Sequence, residues 1–135
     1  MTFRLDERLQ ADTVLVGDLS LSRLLLSRDS RYPWCILVPR QSGLRELHEL
    51  SGADGSILLE EIRQVSAALQ ALFRPDKLNV AALGNVVEQL HVHVVARFRH
   101  DAAWPGPVWG RGEPLPHEAQ ALQRRVRDLQ ERIGC

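Results

Sequence analysis

Between Leu58 and Leu72 apolar side chains return at intervals of four and three, at Leu58, Ile62, Val65, Leu69 and Leu72, with Glu60, Glu61, Arg63 and Gln64 between them. This is the helical period, and it gathers the apolar residues into one stripe with the polar set facing away. Such a stripe has to be buried, and the flanking sequence indicates against what. Ahead of it lie three short apolar runs, Thr13 to Leu19, Leu21 to Ser27 and Cys35 to Val38. Behind it lie two more, Leu78 to Leu83 and Leu90 to Phe98, the latter with β-branched residues at Val92, Val94 and Val95. Runs of this length bounded by turn residues read as strands.

The punctuation between runs is equally plain. Arg28-Asp29-Ser30-Arg31-Tyr32-Pro33 separates the second run from the third, Pro39 ends the third, Ser51 to Gly55 reads as a break, Pro75 stops the helix, and Gly84-Asn85 closes the fourth run. Shorter helical stretches are expected at Leu5 to Gln10 and Leu44 to Leu50. A final helix is marked by Leu115, Ala119, Leu122, Val126, Leu129 and Ile133. Grouped strands with helices between and after them predict an α+β fold: an antiparallel sheet of about five strands, a long helix packed on it and a C-terminal helix.

At 135 residues the chain has the size of one domain, 1–135, and with 44% hydrophobic and 25% charged residues it can build a core without staples. Seventeen Lys plus Arg balance seventeen Asp plus Glu. Zero net charge argues against a partner gripped by bulk electrostatics, so neither a nucleic acid polymer nor a membrane is expected, and any anionic ligand must be held locally. Cys35 sits inside an apolar run and Cys135 at the very end, with no CxxC pair; they read as a buried small hydrophobe and a frayed terminal thiol. That usage fits a reducing compartment. The first residues carry acids where a signal peptide has an apolar core, and no run approaches the roughly 18–20 apolar residues of a membrane span. The expectation is a soluble, cytoplasmic protein.

The chemistry is concentrated in Gly84-Asn85-Val86-Val87-Glu88-Gln89-Leu90-His91-Val92-His93-Val94-Val95. Strand side chains alternate, so Gln89, His91 and His93 should share one face while Leu90, Val92 and Val94 share the other. Two imidazoles side by side can serve as nucleophile, general acid or metal ligand. A polar, solvated strand face is the plain alternative. Zinc is disfavoured, because it needs three or four ligands and no carboxylate or thiol is spaced to complete the shell. His48, His100 and His117 could join only through tertiary folding.

This segment resembles the signature of the histidine triad (HIT) superfamily, His-φ-His-φ-His-φ-φ on a strand, preceded by a Gly-Gln pair. Gln89 stands where the first histidine usually is, and Gly84-Asn85 where Gly-Gln usually is. The hairpin ending in Ile36-Leu37-Val38-Pro39-Arg40, the following Leu47-His48-Glu49-Leu50, the helix of Leu58 to Phe73 and Trp104-Pro105-Gly106 also fall in the family's order. The similarity covers roughly residues 3 to 110, leaving 111–135 as a helical extension of a HIT-like fold.

The resemblance implies a nucleotide hydrolase or nucleotidyl transferase in which His91 attacks the α-phosphorus and a nucleotidyl-histidine forms. His93 would contact phosphate oxygens and the leaving group, and Asn85 and Gln89 would offer amides to phosphate. Asp29 is the nearest match to the family's ribose-binding group; otherwise it is an ordinary turn residue. Leu5, Leu9, Leu26 and Leu37 either line a base pocket or pack in the core, and Trp104 and Trp109 either cover a site or anchor their loop. No cofactor is implied, and a homodimer is. Because Gln89 has only a neutral amide where an imidazole usually stands, hydrolysis would favour good leaving groups, or the chain would be a nucleotide-binding module with little catalysis. The segment after Pro39-Arg40 also lacks the histidine that often follows in the phosphoramidase-like branch.

Overall fold

The structure is a computed structural model that describes residues 2–135. A short helix α1 (Glu7–Asp12) leads into strands β1 (Thr13–Asp18), β2 (Ser22–Ser27) and β3 (Trp34–Pro39). A 3-10 turn (Leu47–Glu49) precedes the long helix α2 (Gly52–Phe73). Strands β4 (Lys77–Ala81) and β5 (Val92–Arg97) and helix α3 (Ala119–Ile133) complete it. The strands form one antiparallel sheet in the order β1-β2-β3-β5-β4. The α+β expectation, with five strands, the long helix on the sheet and a helix at the end, describes this architecture.

Alternation assigns the two faces of the sheet. Leu24 and Leu26 on β2, Cys35 and Leu37 on β3, and Val92 and Val94 on β5 join Leu58, Val65 and Leu69 of α2 and Leu129 of α3 in one apolar cluster. The final helix is thus part of the main core: Leu129 is fully buried and Gln130 donates to the Val16 carbonyl at 2.8 Å. Cys35 lies in that core, where burial pushes its thiol up to about 12, as suits a packing residue. Cys135 is not frayed; it packs against the same cluster. A Cβ at Gly17 would lie 3.0 Å from the Cys135 Sγ. Here β1 bulges between Leu15 and Gly17, and glycine gives the terminus its close approach.

Two expectations about α2 need correcting. The Ser51 to Gly55 segment is not a break but the cap and first turn of the helix, because the Ser51 hydroxyl accepts from Asp54 N and Asp54 sits favourably near the positive helix end. Glu61 does not face away: it is 3% exposed, and its Oε2 accepts from Leu21 N at 2.7 Å and Ser22 N at 3.4 Å, satisfying main-chain donors at the β1–β2 turn. The helix ends at Phe73 with Arg74 in the left-handed conformation (φ 50°) ahead of Pro75.

The opposite face of the sheet carries two separate apolar patches. Leu25, Ile36 and Val38 meet Leu9 and Val87, while Val95 meets Tyr32, Ala103 and Val108. The histidine segment lies between them. Strand β5 begins only at Val92, because Leu90 N bonds to the Leu44 carbonyl, so residues 89–91 leave the ladder.

Candidate active site

His91 and His93 line a cavity of about 940 Å³ on this second face, each only 6% exposed. Their ring centroids are 4.9 Å apart at 74°. His93 is fixed by the ladder, opposite Ile36 on β3 and Ala81 on β4. His91, just before the strand, is fixed by the main chain two residues earlier, with Nδ1 2.6 Å from the Gln89 carbonyl oxygen. A carbonyl oxygen can only accept, so Nδ1 carries the proton, and in the neutral ring Nε2 carries the lone pair. The His93 Nδ1 is 2.9 Å from Trp34 Nε1, and the Trp109 ring stands edge-on to His93 at 5.2 Å. Burial, aided by the neighbouring His91, pulls His93 below an ordinary imidazole's 6.5 to about 4, so this ring is neutral at physiological pH.

The loop that brings in Trp109 is held from below. Arg97, 2% exposed at the end of β5, forks onto Asp101 at 2.9 and 3.1 Å and reaches Asn79 Oδ1 and the Gly106 carbonyl. Burial raises the Asp101 carboxyl, but Arg97 and the N–H groups of Phe98, Trp104 and Ala103 outweigh it and hold it at about 2. Trp104 stacks over the Arg97 guanidinium at 5.8 Å, which makes it a loop anchor, while Trp109 lines the cavity.

Asn85 is exposed on the cavity wall beside Gly84, whose φ of +121° is a backbone region that favours glycine. Asp29 also lines the cavity, from the β2–β3 turn. Its carboxylate takes a bidentate ion pair from Arg31 (2.9 Å) and a bond from Leu115 N (3.3 Å). Burial opposes its ionisation, but these donors prevail and hold it below the usual range. Gln89 is the expected phosphate contact that the structure does not bring to the cavity wall. Its Oε1 accepts from Asp6 N and its Nε2 donates to the Arg4 carbonyl, both at 2.9 Å, so the side chain ties down the N-terminal segment while the main chain serves His91. Of the four leucines considered for a base pocket only Leu9 lines the cavity; Leu26 and Leu37 are core, and Leu5 packs beside the Leu9 patch.

Sequence reasoning missed two contributions. Trp34 and Ile36 enter through the β3–β5 register, which no local pattern reveals. Four arginines, Arg8, Arg28, Arg31 and Arg111, line the cavity against two acids, Asp12 and Asp29, so a chain without net charge still concentrates positive charge here. Among the described residues, no group of three or more His, Cys, Asp or Glu side chains is placed to hold a metal ion.

The site is thus a pair of imidazoles in a cavity on one face of an antiparallel α+β sheet, with arginines around them. The HIT domain family matches residues 8–100, and the chain belongs to that family. The chain is 46% identical in sequence to a histidine triad protein of Bradyrhizobium japonicum, whose structure matches with a TM-score of 0.97 over 98% of this chain and 99% of that one. Histidine triad proteins of Marinobacter aquaeolei (45% identity, TM-score 0.96, 99% and 98% covered) and Sinorhizobium meliloti (42%, 0.95, 97% and 97%) are similarly alike. No curated protein matches the chain. No helix among the described residues is long and apolar enough to cross a membrane.

Proposed function

We propose that this protein is a nucleotide hydrolase or nucleotidyl transferase that cleaves a nucleoside phosphate ester, anhydride or phosphoramidate through a nucleotidyl-histidine on His91. The observation that carries the reading is the 2.6 Å bond from His91 Nδ1 to the Gln89 carbonyl, which leaves Nε2 as a neutral nucleophile inside an arginine-rimmed cavity. The Nε2 lone pair attacks the α-phosphorus, the P–N bond forms as the bond to the leaving group breaks, and the electron pair departs with that group. Water then breaks the P–N bond, releasing the nucleoside monophosphate and restoring the His91 lone pair. His93 and Asn85 donate to phosphate oxygens. Asp29, on the cavity wall, contacts the ribose.

His91→Ala should lower turnover of adenosine phosphoramidate and dinucleoside polyphosphates by at least about 10³-fold, the scale on which losing a nucleophile acts. Its circular dichroism and melting should be unchanged; turnover that survives the substitution contradicts the assignment.

A second reading, a nucleotide-binding module with little catalysis, draws support from Gln89, whose amide is bonded to Asp6 and Arg4 and is not a proton carrier in any case. Tight mononucleotide binding by calorimetry without any turnover would favour it. Two protomers are expected to pair, as the family resemblance implies and as the exposed Val80 on edge strand β4 suits. A sedimentation mass of one chain would contradict the pairing.

A further inference from the structure

Trp34 opens β3 opposite Val95, and Ile36 two residues on is opposite His93. Trp34 is therefore the diagonal cross-strand neighbour of His93 on the cavity face, within reach of an aromatic side chain. Its indole is half-buried and held in place by neighbours: Tyr32 edge-on at 6.2 Å and Trp109 edge-on at 6.0 Å. The contact that matters is polar, Trp34 Nε1 to His93 Nδ1 at 2.9 Å.

An indole N–H can only donate, so His93 Nδ1 must hold a lone pair. A neutral imidazole has one N–H, and here it can be only at Nε2. His91 is wired the opposite way, because the Gln89 carbonyl can only accept. Two rings with centroids 4.9 Å apart thus carry opposite tautomers: a lone pair at Nε2 of His91 and an N–H at Nε2 of His93. Without an outside partner, an imidazole can exchange these forms, and a His93 with its lone pair at Nε2 would repel a phosphoryl oxygen instead of donating to it.

We propose that Trp34 is a positioning residue: its indole N–H locks His93 in the Nε2–H tautomer, so that a fixed donor stands beside the His91 nucleophile. The catalytic half of this assignment rests on the nucleotidyl-transfer reading above; the tautomer half stands on geometry alone. A donor to the phosphoryl group matters most as charge shifts in the transition state, so the lock should act on kcat more than on KM.

Long-range ¹H–¹⁵N NMR of the imidazole nitrogens tests the lock in the wild-type protein, in Trp34→Phe, and in a variant carrying benzothienylalanine at position 34, which keeps the bicyclic shape and removes only the N–H. The wild-type His93 should show an unprotonated Nδ1 and a protonated Nε2. Both replacements should mix the tautomers and lower kcat for adenosine phosphoramidate about tenfold to a hundredfold, a fraction of the loss when a transition-state donor is removed outright, with KM changed by less than about threefold. A protonated Nδ1 on wild-type His93 overturns the proposal, as does a variant that loses kcat while keeping the wild-type tautomer. If Trp34→Phe misfolds, the benzothienylalanine protein decides. A wild-type protein with the stated tautomer but no turnover of any nucleotide would sink the functional reading and leave the lock standing.

Discussion

The two faces of strand β5 obey different rules although their residues alternate one by one. Val92 and Val94 enter a continuous apolar cluster closed by α2 and α3, whereas His93 and Val95 enter a face where two apolar patches leave a cavity between them. One face uses its buried area for stability. The other buries polar rings and accepts the desolvation, which is offset by directed hydrogen bonds from Trp34 and to Gln89. Truncation on the first face should therefore cost stability, and truncation on the second should cost chemistry.

The sharpest form of that contrast uses adjacent residues. Leu37→Ala, on the helix-covered face and fully buried, should lose about 2–5 kcal/mol in denaturant unfolding with little change in kcat of the folded fraction. Ile36→Ala, opposite His93 and on the cavity wall, should lose less stability, because the cavity already opens there, and should raise KM. Equal stability losses with unchanged kinetics in both would break the comparison.

A smaller effect distinguishes the faces by pH. His93 titrates at about 4 in the folded protein, against 6.5 for an ordinary imidazole. The unfolded chain therefore binds the proton first as pH falls, so the contribution of the neutral ring is complete above 6.5 and is lost as pH drops through about 4. The His93 ring resonances should stay those of a neutral imidazole at pH 5.5, and a midpoint near 6.5 would show that the ring is not desolvated as described.

Much of the fold was legible because strand and helix periods are local. Leu24 and Leu26, Val92 and Val94, and the stripe from Leu58 to Leu69 each declare a face within a few residues. What local pattern could not reveal depended on distant partners. Glu61 has the spacing of a solvated residue, and only the turn at Leu21, 40 residues away, makes it a buried acceptor. The Gln89 amide shares the alternation of the histidines but bonds to Arg4 and Asp6, more than 80 residues earlier. The family resemblance brought His91, His93, Asn85 and Asp29 forward, and all four line one cavity. Trp34 was invisible for the same reason as Glu61: its role exists only once β3 and β5 are in register.

The central claim is that His91 Nε2 becomes bonded to phosphorus. Rapid acid-free quenching of the wild-type protein with excess adenosine phosphoramidate or a dinucleoside polyphosphate, followed by mass spectrometry of proteolytic peptides, tests it directly. A nucleotidyl adduct is expected on the peptide containing His91 and absent from His91→Ala; turnover with no adduct there, or an adduct that persists in His91→Ala, rules out His91 as the nucleophile.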